Sequence, residues 1–316
     1  MLEKLCNIIG VSGYENKVID FLNKEAEKID LDEVRVDKVG NLVCYKKGNN
    51  SKKTILVTAH VDEVGYQIIK HIDKGKYRFK CLGNIKTWNS VQQRVQFSSK
   101  KIGTIYAFDE TNLKAYNYEN LFVDICNEYN NIEVGETFTY LSEFYENDHY
   151  YIGKALDNRI SCYCLMELLK KNFQNENDIF FVFTVQEEIG MRGSRVAKST
   201  IKPDIYINLD VSGECEMNSV QINEGVGIKL SDSMAVSSIE LVNFAKKVAH
   251  NNNIAYQLEV SDCGTSELII TNELDYGCSE LGVSIPCLHI HTANSVVAKC
   301  DVNSCINLLY KLLLKL

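Results

Sequence analysis

The sequence predicts an α/β fold, a mainly parallel sheet covered by helices on both faces, with a small all-β domain inserted into it. Three observations lead there. At both ends of the chain, apolar β-branched runs alternate with helical stretches, the pattern of parallel strands joined by crossover helices. Between about Tyr66 and Tyr150 only short alternating strands occur, divided by turn residues and interrupted by no long helix. Four apolar runs outside that region end in histidine, aspartate or glutamate, as strands do when they deliver side chains to one edge of a sheet.

The elements follow in order. Glu15 to Ile29 spaces Val18, Phe21, Leu22, Ala26 and Ile29 helically behind the punctuation of Ser12 and Gly13, and predicts an amphipathic helix. Glu33 to Val36, Leu42 to Tyr45 after the Gly40-Asn41 turn, and Thr54 to Ala59 are strands; the last, TILVTA, is apolar throughout and reads as a buried central strand. The middle holds YQIIKHI, KYRFKCL, RVQFS, KIGTIYAF, LFVDIC and HYYIG, with turns at Asp73-Lys74-Gly75, Asn84, Asn89-Ser90 and Asn130-Asn131. After Gly153 come a helix from Asn158 to about Lys171, the strand Ile179 to Val185, a short helix near Ser194, the strand Ile205 to Leu209 and a mixed Gly-bearing stretch to about Asp232. A helix Ser238 to Asn251, a helical Glu267 to Glu273, the strand Val283 to Ile290 and a helix after Asp301 follow. The expected division is one discontinuous α/β domain, 1–65 and 151–316, around an inserted β-domain, 66–150.

Composition narrows the function. With 316 residues, 45% hydrophobic and 24% charged, the chain can bury a sizeable core, and a coiled coil, a collagen or a disordered tail is excluded. A net charge of -8 leaves no basic excess for nucleic-acid phosphates. No apolar run approaches the roughly 20 residues of a membrane span, and MLEKLCNIIGVSGYENK lacks the long apolar core of a secretion signal. The expectation is a soluble, cytoplasmic protein without membrane or nucleic-acid partners. The twelve cysteines are scattered with no C-x-x-C pair, so reduced, mostly buried thiols are expected rather than a disulfide scaffold or a zinc finger.

Chemistry gathers at the strand ends. TILVTA runs into His60, with Asp62 two further on; IFFVFTVQ into Glu187 and Glu188; IYINL into Asp210; and IPCLHI into His291. Asp157, in GKALDNR, stands where a short β-like segment becomes a helix and can face the same edge. Two imidazoles and several carboxylates, with no serine or cysteine in a nucleophile turn, suit zinc, cobalt or manganese. Two such ions sharing a carboxylate acidify a water and polarise a scissile carbonyl. A proton carrier is then needed, and the Glu187-Glu188 doublet can give one ligand and one general base, because neighbours on a strand point apart. Asp62 can hold the far nitrogen of His60 and fix its tautomer.

HVDEVG from His60, ALDNR from Ala155, TVQEEIGMRGS from Thr184, NLD from Asn208 and Ile290-His291-Thr292 resemble the motif series of the tetrahedral aminopeptidase family. These are di-metal enzymes that include glutamyl aminopeptidases, and some relatives were once labelled endoglucanases. SGYE from Ser12, DKVGN from Asp37, LFVDI and VGE extend the match almost from end to end. The resemblance implies a zinc-peptidase-like catalytic domain and two divalent ions per subunit, zinc or cobalt with manganese as an alternative. His60 and Asp210 would hold one ion, Glu188 and His291 the other, with Asp157 bridging and Glu187 as base. It also implies that the β-domain mediates assembly into a hollow dodecamer open only to short peptides. The chain departs from the family at Leu288, at Cys263-Gly264-Thr265-Ser266-Glu267, at Ser295 and in the shortened loop AFDETNLKAY, which bears on substrate preference and oligomer.

The expected activity is removal of N-terminal residues from short peptides. A deacylase or amidohydrolase of the same fold would use nearly the same chemistry. A glucanase would need two carboxyls across the bond and no metal, and the adjacency of Glu187 and Glu188 counts against it. A non-catalytic metal-binding scaffold would have no use for Glu187. His71, His149 and His250 read as structural. His289 and His291 share a face if both lie on one strand, and only the resemblance selects His291. Cys162 and Cys164 read as packing, Trp88 as an interface or small-core residue, and the segments Asn223 to Ser233 and Ser261 to Glu267 as walls of the substrate pocket.

Overall fold

The computed structural model describes residues 1–114, 117–126, 132–213, 219–273 and 277–316. Helices α1 (Leu2–Asn7) and α2 (Asn16–Ala26) precede strands β1 (Glu33–Val36), β2 (Leu42–Lys46) and β3 (Thr54–His60). The chain then builds β4 (Gly65–Asp73), β5 (Lys76–Leu82), the single turn α3 (Thr87–Ser90), β6 (Arg94–Phe97), β7 (Ile102–Ala107), β8 (Leu121–Asp124) and β9 (Thr137–Tyr140). It continues through β10 (Tyr145–Glu146), β11 (Tyr150–Gly153), α4 (Leu156–Leu169), β12 (Asp178–Thr184), α5 (Arg192–Ile201), β13 (Ile205–Gly213) and β14 (Val226–Ser231). Last come α6 (Ile239–Asn251), β15 (Tyr256–Val260), a 3-10 segment (Glu267–Glu273), β16 (Ser279–Leu288), β17 (Ser295–Ala298) and α7 (Lys299–Leu313).

The large sheet has the order β1-β2-β12-β3-β13-β16-β17-β11-β10, with β14 pairing β16 and β15 attached to β14. Its centre, β12-β3-β13-β16, is parallel. Both flanks are antiparallel. The expectation of a mainly parallel sheet is therefore corrected to a mixed one. The cause is loop length: the connections from β1 to β2 and from β16 to β17 are far shorter than the dozen or so residues a parallel crossover needs.

Alternation along β3 sorts the two faces. Ile55, Val57 and Ala59 pack with Leu156 and Ile160 of α4 and with residues of α1, α2, α6 and α7. Leu56 turns the other way and joins Val182, Tyr206, Ala197 of α5 and Leu268 of the 3-10 segment. Strand β3 is buried on both faces, as its unbroken apolar run predicts.

The six strands β4-β5-β8-β7-β6-β9 close a small antiparallel barrel around Tyr66, Phe79, Phe97 and Phe138. HYYIG was expected in this module, but β11 instead pairs β17 in the large sheet. The strand that closes the barrel is β9, TFTY, whose Phe138 and Tyr140 face the barrel core. No helix among the described residues is long and apolar enough to cross a membrane.

Candidate metal centre

The four parallel strands end along one edge, and the side chains that meet there come from each of them. His60 is the last residue of β3, in register with Thr184, the last of β12, and Glu187 and Glu188 follow in the next turn. Asp210 lies on β13, and His291 follows the end of β16. Asp157 enters from the start of α4, where φ and ψ at Asp157 and Asn158 are non-helical. The Asn158 side-chain amide donates to the Leu209 carbonyl at 3.0 Å and pins that turn to β13. Gln186, Met191 and His291 hold left-handed φ of 58°, 53° and 59°, unusual for residues with a Cβ and typical of shaped functional turns.

Asp157 occupies the middle of the group. Its Oδ1 lies 3.2 Å from His60 Nε2, and its Oδ2 lies 3.1 Å from His291 Nε2. His60 Nε2 is also 3.6 Å from Asp210 Oδ1 and 3.9 Å from Glu187 Oε2. His291 Nε2 is 3.1 Å from Glu188 Oε1. Asp62 lies fully buried behind His60: Oδ1 is 3.4 Å from His60 Nδ1 and accepts the Glu187 N–H at 3.0 Å. Its Oδ2 accepts the Glu188 N–H at 3.1 Å and the Ser12 hydroxyl at 2.6 Å.

Electrostatics fit a cation. Burial alone would push both imidazoles down, yet the surrounding carboxylates outweigh it and hold His60 and His291 well above their usual range. Burial pushes Glu187 and Glu188 up and the neighbouring carboxylates add to it, against the opposing pull of His60 and His291. Burial would also raise Asp157, but hydrogen bonds from His291 and His60 prevail and hold it well below the carboxylate range. Five carboxylates against two imidazoles leave an excess of negative charge that divalent cations would offset. The donors of His60, Asp157 and Glu188 lie within 4.8 Å of one another, a cluster compact enough to hold metal with Asp157 between the other two. An imidazole and carboxylate donor set suits zinc, cobalt or manganese.

These groups face a cleft of about 500 Å³. The barrel supplies one wall with Asn84, Lys86, Trp88 and Asn89; Lys229, Asp232, Glu259 and the segment 261–266 supply the other. Trp88 is half exposed there, not in a core. The buried Lys229 ammonium stands 3.4 Å from Glu259 Oε1 and 3.8 Å from Asp232 Oδ2. His289 lines the cleft and is exposed; β16 ends at Leu288, so the face shared by the two histidines on a strand does not arise. His71 packs against Tyr77, His149 against Tyr150, and His250 ends α6, all outside the cleft. Ser295 donates to the His289 carbonyl at 3.0 Å and steadies the loop that carries His291. Among the described residues ten cysteines are free thiols, whereas Cys263 is disulfide-bonded and lines the cleft, a departure from the expectation of reduced thiols. The barrel's share of the cleft has no signal in the sequence, because it is carried by a loop without periodicity.

A family model described as M42 glutamyl aminopeptidase matches residues 40–308. The chain belongs to this family. It is thus a metal-dependent aminopeptidase, a hydrolase of peptide bonds. This M42 aminopeptidase is 31% identical over 320 residues to a relative from Acetivibrio thermocellus, across 98% of this chain and 96% of the relative. It is similar to the TET aminopeptidase from Thaumarchaeota archaeon SCGC AB-539-E09, with a TM-score of 0.92 and 26% identity across 100% of this chain and 95% of the other. It is also similar to the Pyrococcus horikoshii TET1 peptidase, which can assemble into a tetrahedron or a large octahedral shell; the TM-score is 0.90 and the identity 25%, across 100% and 98% of the two chains.

Proposed function

We propose that this M42 enzyme is a two-metal aminopeptidase acting on short peptides, with His60 and Asp210 on one ion, Glu188 and His291 on the other, Asp157 between them and Glu187 as general base. One observation carries the reading: a single carboxylate, Asp157, turns one oxygen to each imidazole, at 3.2 and 3.1 Å. Two divalent cations, zinc or cobalt with manganese as an alternative, supply an acidified water and a polarised carbonyl when bound.

The chain's own residues do the rest. Glu187 Oε2 takes the proton of the attacking water and returns it to the leaving amine nitrogen. Burial beside Glu188, Asp210 and Asp62 raises its proton affinity, which suits a group that must hold a proton between two steps. Asp62 orients the His60 ring and, through two backbone N–H groups, the turn that carries Glu187 and Glu188. The cationic α-amine of the peptide is drawn to the carboxylate-rich end of the cleft.

We assign the β-domain, 66–150, to homo-oligomeric assembly, with the dodecamer as the expected state. The barrel surface exposes Ile102, Phe108 and Val134, the last 72% exposed, and the similar TET1 peptidase assembles into closed shells. We place the enzyme in the cytoplasm, where the ten free cysteines among the described residues would stay reduced; the disulfide at Cys263 is the exception.

Metal analysis, reloading with zinc or cobalt, and assay on aminoacyl anilides and di- to tetrapeptides test the proposal, with native mass measured alongside. Turnover restored by metal and abolished by Glu187→Gln is expected. No turnover with any metal would reject it, and equal cleavage of substrates with a blocked α-amine would turn the reading to a deacylase.

A further inference from the structure

We infer that Glu267 is a positioning residue of the metal centre: its carboxylate ties together the three strands that carry His60, Glu187-Glu188 and Asp210, and so sets the spacing of those groups. The inference rests on the ligand assignment proposed above.

Glu267 opens the 3-10 segment and is fully buried. Its Oε2 accepts the Thr58 hydroxyl at 2.7 Å and the Asn208 amide at 3.1 Å, and its Oε1 accepts the Thr184 hydroxyl at 2.7 Å. Those three donors belong to β3, β13 and β12. Thr58 lies two residues before His60 and Asn208 two before Asp210, so each shares a strand face with the ligand above it. Thr184 stands in register with His60.

The position matters because the backbone ladder stops there. Pairing between β3 and β13 runs from Ile55 with Ile205 to Thr58 with Asn208 and no further. Pairing between β3 and β12 ends at His60 with Thr184. Beyond Asn208 no main-chain pairing holds β13 to β3, and β12 is held to β3 there only as far as the Val61 N–H to the Thr184 carbonyl at 2.8 Å; at that point one carboxylate spans all three. No cation among the described residues forms an ion pair with Glu267. Burying a carboxylate in that way is costly, and an apolar residue would pack the space more cheaply. What an apolar residue would lack is the three-strand crosslink. Glu267 also ends the cleft wall 261–266, whose Ser266 donates from its N–H at 3.0 Å and its hydroxyl at 2.7 Å to Asp232.

The test is a chelator-competition titration of zinc on the full-length enzyme and on Glu267→Ala, Glu267→Gln, Thr184→Val and His60→Ala, with kcat and KM at saturating metal and thermal melts. Glu267→Ala is expected to bind zinc about 10- to 100-fold more weakly, the range for groups that hold metal ligands in place, and to lose kcat more than KM. Glu267→Gln can still accept from Thr58 and Asn208 and donate to Thr184, so it is expected to stay within about 3-fold of the parent, with Thr184→Val between the two. A residue of merely structural importance would lower the melting temperature of Glu267→Ala and leave zinc affinity alone, and that outcome overturns the inference. Equal losses in the Gln and Ala variants overturn it too, since they would assign the effect to charge. If Glu267→Ala does not fold, parent-like zinc affinity in Thr184→Val overturns it. Zinc affinity lost in His60→Ala but kept in Glu267→Ala sinks this inference alone, whereas a parent enzyme that binds no divalent ion sinks the ligand assignment with it.

Discussion

His291 Nδ1 lies 2.7 Å from the backbone carbonyl of Asn84. Asn84 stands between β5 and α3, on the barrel's side of the chain, whereas His291 follows β16. A carbonyl only accepts, so Nδ1 must carry the proton, and Nε2 is left to face Asp157 and Glu188. The barrel is thereby joined to the chemistry of the sheet edge, beyond any part it has in assembly. The zinc-loaded enzyme with ¹⁵N-labelled histidine is expected to show the Nδ1–H tautomer at His291 in long-range ¹H–¹⁵N spectra. The Nε2–H form would rule out this contact in solution.

Asp62 organises the opposite side of the centre. It receives the N–H groups of both Glu187 and Glu188, which fixes their turn, and stands 3.4 Å from His60 Nδ1. Asp62→Ala is expected to weaken zinc binding about 10- to 100-fold. Asp62→Asn, whose amide keeps one accepting oxygen, should fall between that variant and the parent. Chelator competition reads both, and unchanged affinity in Asp62→Ala would show that the His60 ring is held without it.

The convergence of strand ends was legible because a parallel edge is a topological rule: an apolar run that stops at His60, or that carries Asp210 past it, announces where it points. Other features left no such trace. HYYIG alternates like a barrel strand, and only pairing with the four-residue β17 draws it into the large sheet. A glutamate at the head of a short helical stretch, as at Glu267, reads as an exposed first-turn charge. Its burial against Thr58, Thr184 and Asn208 is a tertiary fact. The Asn84 carbonyl is invisible in principle, since every residue has one.

Where barrel and sheet meet, a buried ion pair dominates. Lys154 Nζ donates to both oxygens of Glu63 at 2.9 and 2.7 Å, and Glu63 also accepts from the Gly10 N–H and the Thr139 hydroxyl, each at 3.1 Å. Thr139 belongs to β9 of the barrel, so one carboxylate links three parts of the chain. Arg159 Nη2, fully buried, stands 3.7 Å from Glu63 Oε1 and remains to compensate part of the carboxylate's charge, so Lys154→Met is expected to cost about 3 kcal/mol in urea unfolding, the low end for breaking a buried pair. Combining it with Glu63→Gln should recover a substantial part of that loss. Additive effects in the double variant would mean that the two groups do not depend on each other.

Glu15 gives the pH dependence a sign. Burial and repulsion from Asp62 push its carboxyl up from the ordinary 4.5 to about 7, against the pull of N–H groups from Gly13 at 2.6 Å and Gln186 at 3.1 Å. A raised acid holds its proton more tightly in the folded state than in the unfolded chain. Its contribution is therefore complete below about 4.5 and is lost as pH rises through about 7. A shift of that size corresponds to at most about 3–4 kcal/mol. Glu15→Gln stays neutral and keeps an oxygen for both N–H groups, so with chelator present it should match the parent near pH 4.5 and be the more stable of the two above pH 7. Urea unfolding between those limits measures the difference, and parallel curves would reject the assignment. The N–H of Gln186 that Glu15 accepts precedes Glu187 by one residue, so ionising Glu15 loads charge onto the turn that carries the proposed base, and the parent's loss of stability should be concentrated there in hydrogen exchange.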